Sequence, residues 1–193
     1  MFPSKKMMTM AGVFFGWALF IPLAQAEQPF DITDHFYATV TTLSASPELT
    51  IFHSDVKGIV RDNLENKTFD NLTSHCLRIG RISAGKLTGI TFSKFTDPDG
   101  DFFITESTSD AVPPAAVEST WKFLHGTGKW KGITGGGKGK FIFMTRGKQQ
   151  ISPTTIQGYL RMTGTFELKK SASLHYFMAE TTLKRRTEPC PKK

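Results

Sequence analysis

The fold class is decided by one stretch, Ile156-Gln-Gly-Tyr-Leu-Arg-Met-Thr-Gly-Thr-Phe-Glu-Leu168. Apolar residues and glycines occupy one set of alternate positions, and polar residues with one tyrosine occupy the other set. A helix would scatter both sets around its circumference, whereas a strand places each set on its own face. The stretch therefore predicts a long strand with one buried face and one face in water.

Similar alternation recurs along the chain, interrupted by turn-forming groups such as Ala84-Gly85-Lys86 and Asp97-Pro98-Asp99-Gly100. Eight or nine strands joined mostly as hairpins predict an all-β domain, either a small closed antiparallel barrel of about eight strands or a β-sandwich. We favour the barrel because long strands with a continuous apolar face favour closure, which also removes exposed sheet edges. The predicted strands cover residues 36–41, 49–61, 72–82, 87–95, 101–107, 121–124, 138–145, 156–168 and 173–184.

The N-terminus has the pattern of a cleaved export signal. Lys5 and Lys6 precede an apolar run over residues 11–23, and Ala24-Gln25-Ala26 supplies the small residues that signal peptidase recognises. The apolar run is shorter than the roughly 20 residues that cross a bilayer. We therefore expect residues 1–26 to be a signal peptide. Residues 27–193 would form one periplasmic or secreted domain with a basic C-terminal tail and no stable membrane insertion.

Both cysteines, Cys76 and Cys190, belong to the expected mature chain and would meet an oxidising compartment. A bond between them would close a long loop, worth on the order of 4–5 kcal/mol in the chain-entropy model. We expect this disulfide. The alternative is a buried Cys76 thiol with Cys190 unpaired.

Two motifs resemble ligand loops, but turns explain them better. The glycine-rich segment 126–139 almost fits a nucleotide-binding loop, yet Gly139 stands where a Ser or Thr must hold magnesium, and a strand pattern follows. Asp97-Pro-Asp-Gly-Asp101 resembles the start of a calcium loop, yet Thr108 stands at the twelfth position, where that loop needs a glutamate. Both motifs predict turns, so we expect neither a nucleotide cofactor nor a metal site.

Other site classes lack their patterns. The five histidines are dispersed and show no metal-ligand spacing. The chain has no Gly-x-Ser-x-Gly elbow and no signature of a cysteine hydrolase. The basic and aromatic cluster at 129–131 is too small to bind nucleic acid alone. The sequence leaves the oligomeric state open.

Two further stretches together resemble a known family. Phe69-Asp-Asn-Leu-Thr-Ser-His-Cys76 leads through Gly85-Lys86 to Thr96-Asp-Pro-Asp-Gly-Asp101, and Phe123-Leu-His-Gly-Thr-Gly-Lys-Trp-Lys-Gly-Ile-Thr-Gly-Gly-Gly137 follows. The pattern is similar to exported bacterial proteins of the allene oxide cyclase-like barrel group, structurally akin to plant dirigent proteins. The resemblance covers about residues 49–168 and implies an eight-stranded antiparallel barrel with an apolar lumen. Plant relatives use that lumen to hold a reactive hydrophobic intermediate in one conformation. No catalytic residue of theirs is matched here.

Three functions remain compatible with such a barrel. The favoured one is binding of a small apolar or aromatic ligand in the lumen. The second is an envelope structural or interaction protein with a filled lumen. The third is a cyclase- or isomerase-type enzyme, which would need a polar group in the lumen, with His53 or His125 as first candidates. An open pocket above about 300 Å³ would favour the first and the third, whereas a lumen packed solid with side chains would leave only the second. The candidate ligand-binding residues are Trp121, Phe123, Trp130, Phe141, Phe143 and Phe166.

Overall fold

The alternation of apolar and polar residues forms eight strands in the computed structural model. The structure describes residues 26–111, 117–143, 152 and 154–169. Each strand pairs antiparallel with the next, and the last pairs with the first, so the sheet closes into a barrel. The predicted closed barrel is confirmed, and the β-sandwich alternative is wrong. The strands are β1 (Gln28–Ser46), β2 (Leu49–Asp62), β3 (Thr73–Ser83), β4 (Lys86–Thr96), β5 (Phe102–Ala111), β6 (Val117–Gly126), β7 (Ile133–Phe143) and β8 (Thr155–Leu168).

Strand β8 shows the alternation of buried and exposed side chains that its sequence predicts. Leu160, Met162 and Phe166 are buried, while Arg161 and Thr163 between them are exposed. Strand β1 is longer than the predicted segment 36–41, because the same alternation begins earlier, at Phe30. No helix within the described part of the chain is long and apolar enough to cross a membrane.

The glycine-rich segment 126–139 is only partly a turn, so its prediction was wrong in its second half. A short 3-10 turn covers Gly128–Trp130, and β7 begins at Ile133. Gly135, Gly136 and Gly137 lie inside β7, where the backbones of neighbouring strands leave no room for a side chain. A Cβ atom on Gly137 would collide with the carbonyl oxygen of Thr163 on β8. Glycine here permits close packing within the sheet.

Several predictions concern parts of the chain outside the described residues. These include residues 1–25 of the signal peptide predicted at 1–26, the predicted strand at 173–184, the basic tail and Cys190.

One end of the barrel is filled by what we term the aromatic plug. Phe69 comes from the loop between β2 and β3, and its ring stacks on Trp130 with centroids 5.0 Å apart. Asp62 holds this loop, because its carboxylate accepts hydrogen bonds from the amides of Leu64 at 2.8 Å and Phe69 at 2.9 Å. Aromatic contacts of this kind add to the free energy gained by burying the rings. The plug consists of Phe30, Phe69, Phe95, Phe103, Trp121, Phe123, Trp130 and Phe166.

Candidate functional site

Beyond the plug, toward the β1–β2 and β3–β4 hairpins, the lumen contains a cavity of about 180 Å³. This volume is below the roughly 300 Å³ expected for a drug-sized ligand, yet it exceeds a dry cavity of about 150 Å³ that accepts benzene. The lumen is therefore not packed solid. Its apolar lining consists of Phe36, Ala38, Val40, Phe52, Val56, Ile82, Leu87, Phe141, Ile156 and Leu160.

The six predicted ligand-binding residues are divided between the plug and the cavity. Phe141 lines the cavity. Trp121, Phe123, Trp130 and Phe166 are buried in the plug instead. The backbone of Phe143 ends β7, but its side chain is outside the described part. Ligand contact stays a prediction for all six, and the geometry favours Phe141.

The histidines suggested for the lumen lie outside it, so this hypothesis was wrong. His53 is exposed between the inward side chains of Phe52 and Ser54, as strand alternation requires. His125 is exposed beside Phe102, with ring centroids 6.1 Å apart. A register shift opposite it, between Ile104 and Thr105, breaks the simple alternation of β6.

One side of the lumen is polar. The resemblance implies an apolar lumen, and the structure bears this out only in part. Hydroxyl side chains on the five strands β2 to β6 point inward and are buried together with two ionisable groups. Such buried polar groups are costly unless they find partners. They are Asp34, Ser54, Ser74, Arg78, Thr91, Ser93, Thr105, Ser107, Ser109 and Ser119.

Asp34 is a carboxylic acid at the wall of the cavity. Its side chain is 1% exposed and accepts a hydrogen bond from Ser74 Oγ at 2.9 Å. Gly58 makes space for it, because a Cβ at that position would collide with the carboxylate. Burial raises the pKa of Asp34 to about 6, although the hydrogen bond from Ser74 opposes the rise. Asp34 can therefore exchange a proton near neutral pH.

Arg78 is a buried cation in the same wall. Its guanidinium carbon lies 5.4 Å from the ring centroid of Phe52 and 5.3 Å from that of Phe141. Nη2 donates to Ser109 Oγ at 2.8 Å, whereas the buried Nε has no acceptor among the described residues. Loss of hydration lowers the pKa of Arg78 to about 10, so it remains charged at neutral pH.

Cys76 lies between these two groups along the lumen and is 3% exposed. Its cross-strand neighbour is Ser93. Burial, with a smaller contribution from the charge of Asp34, raises the pKa of the thiol to about 12. Since the thiolate is the reactive form, Cys76 is not a nucleophile at neutral pH. A disulfide with Cys190 would require the tail to enter the lumen. That bond stays a prediction.

Sequence reasoning missed both ionisable groups, for different reasons. Asp34 interrupts the apolar face of Phe30, Ile32 and Phe36 on β1, and this interruption could have been noticed. Arg78 could not be found in the same way, because β3 turns a charged residue inward and an apolar one outward. Ile79, next to Arg78, faces outward and is 63% exposed. Among the described residues, no group of three or more His, Cys, Asp or Glu side chains could hold a metal ion.

No protein-family model and no curated protein matches the chain. Among solved structures, it is similar to a protein of unknown function of the DUF3224 family from Shewanella oneidensis MR-1. That similarity has a TM-score of 0.47 and 11% identity, and it covers 75% of this chain and 100% of that chain. The chain is also similar to the pterocarpan synthase dirigent protein GePTS1, with a TM-score of 0.45, 12% identity and coverage of 86% of this chain and 100% of that chain. Similarities this distant carry no information about ligand or reaction.

Proposed function

We propose that this protein binds one small aromatic or apolar ligand inside its barrel. The observation that carries the proposal is the cavity of about 180 Å³ between the aromatic plug and the hairpin end. Its walls include the rings of Phe36, Phe52 and Phe141. A cavity of this size suits one aromatic ring or a short aliphatic chain.

The expected affinity of a neutral ring follows from its area. Such a ring would bury roughly 150 Å² of apolar surface, which at about 25 cal/mol per Å² contributes about 4 kcal/mol. That free energy corresponds to a dissociation constant of about 1 mM. Any tighter binding would therefore depend on polar contacts within the lumen.

Titration with toluene, followed by protein-observed NMR, tests the proposal. Ala38 lines the cavity on β1, and its neighbour Thr39 is exposed on the opposite face. Ala38→Leu should fill part of the cavity and abolish the shifts of lumen residues. Thr39→Leu adds a leucine outside the barrel and should leave them unchanged. Absence of binding to the unmodified protein would contradict the proposal.

We further propose that the barrel works outside the cytoplasm, after removal of residues 1–26. The support for this is the charged start, the short apolar run and the small residues at Ala24 and Ala26. The ligand would then be a molecule found in the periplasm or the surroundings of the cell.

Asp34 favours a second candidate, a cyclase- or isomerase-type enzyme in the same cavity. A buried carboxyl group with a pKa of about 6 can both donate and accept a proton near neutral pH. For any substrate found to be converted, Asp34→Asn should lower the turnover rate by at least a hundredfold and leave binding within a few-fold. An unchanged rate in that variant would exclude Asp34 as the proton-transfer group.

A further inference from the structure

Arg78 is the least explained residue of the lumen. It is 7% exposed, and none of the carboxylates within the described ranges lies within 4.0 Å of its guanidinium. An uncompensated buried charge destabilises a folded protein strongly. A buried charge that destabilises the fold in this way is expected where the charge binds a ligand.

The surroundings of Arg78 fix its position without neutralising it. The hydroxyl of Ser109 accepts from Nη2 at 2.8 Å and donates to the carbonyl of Gly89 at 3.5 Å. The rings of Phe52 and Phe141 flank the guanidinium at 5.4 and 5.3 Å. The guanidinium has five donor hydrogens, and Ser109 is its single acceptor in the described part of the chain.

Asp34, the other ionisable group at the cavity, is held away from Arg78 by the strand register. Arg78 pairs with Ser54 on β2, whereas Asp34 pairs with Val60, six positions further along that strand. Asp34 therefore leaves the charge of Arg78 available.

We propose that the ligand of the cavity is a small amphipathic organic acid whose carboxylate is bound by Arg78. The proposal rests on the binding function proposed above and adds the chemical class of the ligand. Arginine recognises carboxylates through paired, charge-assisted hydrogen bonds. The rings of Phe36, Phe52 and Phe141 would contact the apolar part of the ligand. The cavity limits that part to about one aromatic ring or a short chain.

The decisive experiment compares phenylacetate with 2-phenylacetamide, its neutral analogue of the same shape, by calorimetric titration of the mature chain. We expect the acid to bind at least tenfold more tightly, a difference of about 1.4 kcal/mol. Arg78→Met keeps a long apolar side chain and should remove this preference by lowering the affinity for the acid to that for the amide. It should also raise the Tm of the ligand-free protein. Arg81→Met changes an exposed arginine of the same strand and should preserve the preference.

The outcomes distinguish a failure of this inference from a failure of the proposed binding function. Equal affinity for acid and amide in the unmodified protein overturns the role of Arg78 and leaves the binding barrel intact. If neither compound nor toluene binds, the binding function itself is wrong. If Arg78→Met does not fold, Arg78→Lys replaces it, because lysine keeps the charge but lacks the two parallel N–H donors of the guanidinium. An undiminished preference of this variant for the acid would overturn recognition of the carboxylate by paired hydrogen bonds.

The acids Glu180 and Glu188, outside the described residues, define one more outcome. If either occupies Arg78, the Gln variant of that residue should increase the affinity for phenylacetate at least tenfold. That result would overturn the proposal that the group bound by Arg78 is an external acid.

Discussion

The indole Nε1 of Trp130 donates a hydrogen bond to Oδ2 of the buried Asp97 at 3.0 Å. This bond joins the two motifs that resemble ligand loops in the sequence. The other oxygen of Asp97 accepts the amides of Asp99 at 2.8 Å and Asp101 at 3.2 Å. The nearby Lys129 Nζ lies 2.9 Å from Oδ2. The acidic turn and the glycine-rich turn therefore bind each other.

Asp101 completes this contact and explains one of the glycines. Its Oδ2 accepts the amide of Lys129 at 3.0 Å. Gly128 has a φ of +46°, and a Cβ there would collide with the carboxylate of Asp101. The contact with Asp101 therefore accounts for the glycine at position 128.

Replacing Asp97 should destabilise the protein far more than replacing its neighbour. Asp97→Ala leaves the indole of Trp130 and the amide of Asp101 without acceptors, so we expect a loss of about 1–3 kcal/mol in the free energy of unfolding. Asp99, with a side chain 80% exposed, is the matched control, and Asp99→Ala should change it by less than about 0.5 kcal/mol. Urea denaturation measures both, and equal losses would contradict the buried network.

Two glycines with positive φ should respond differently to substitution. Gly135 has a φ of +121°, and a Cβ there would also collide with the carbonyl oxygen of Thr165. Gly132 has a φ of +79°, and its nearest neighbour would be Lys169 Cβ at 3.4 Å. We expect Gly132→Ala to cost about 1–2 kcal/mol from backbone strain alone, and Gly135→Ala to cost more.

The control for these glycines is Lys138→Ala, an exposed position of β7, which should alter stability by less than about 0.5 kcal/mol. Thermal unfolding with and without ATP and magnesium would complete the series. Stabilisation by ATP that disappears in Lys138→Ala would show that the segment binds phosphate after all.

Asp34 should make stability depend on pH in the opposite direction to an ordinary ion-paired aspartate. Its pKa rises from 3.8 in the unfolded chain to about 6 in the fold, so its contribution to stability is complete below pH 3.8 and is lost as pH rises through 6. The loss amounts to about 3 kcal/mol. The free energy of unfolding of Asp34→Asn, relative to the unmodified protein, should therefore increase by up to that amount between pH 4 and pH 7.

Asp31, on the outer face of the same strand, is the control. Hydrogen bonds from Arg161, at 2.7 and 3.1 Å, hold the pKa of Asp31 below its usual value despite partial burial. The contribution of Asp31 to stability is present above pH 3.8 and is lost as the pH falls through the pKa of Asp31 in the folded protein. Asp31→Asn should consequently be less stable than the unmodified protein at neutral pH, with a difference that shrinks in acid. Parallel curves for the two variants would disprove the burial of Asp34.

The thiol of Cys76 should be protected in the native protein. With a pKa of about 12 and 3% exposure, it should react with iodoacetamide at least a hundredfold more slowly than it does in urea. If Cys76 is bonded to Cys190, urea alone will expose no thiol, and prior reduction will release two. One rapidly labelled thiol in the native state, with a second one in urea, would rule out the disulfide.

Export should leave a defined N-terminus. Expression with the native leader is expected to yield a soluble chain that begins at Glu27, because Ala24-Gln25-Ala26 fits the cleavage pattern. Intact-mass measurement should show the loss of residues 1–26. A full-length chain in the membrane fraction would refute the predicted signal peptide.

The sequence by itself determined that this chain is built of strands. The period of two in 156–168 became β8, and the predicted segment 49–61 differs from β2 (Leu49–Asp62) by one residue. Alternation succeeds here because successive side chains of a strand must point to opposite faces, whatever surrounds the strand. Closure could also be predicted, since it removes the exposed edges of long strands.

Only the tertiary structure decided which face of each strand lies inside and how deep each side chain sits. Alternation defines two faces without saying which is buried, so the sequence left open that β3 places Arg78 inward and Ile79 outward. Depth depends on register around the closed sheet, which puts Trp121 in the plug and Phe141 at the cavity. The pairing of Asp97 with Trp130 likewise joins residues 33 positions apart, a contact that no local pattern contains.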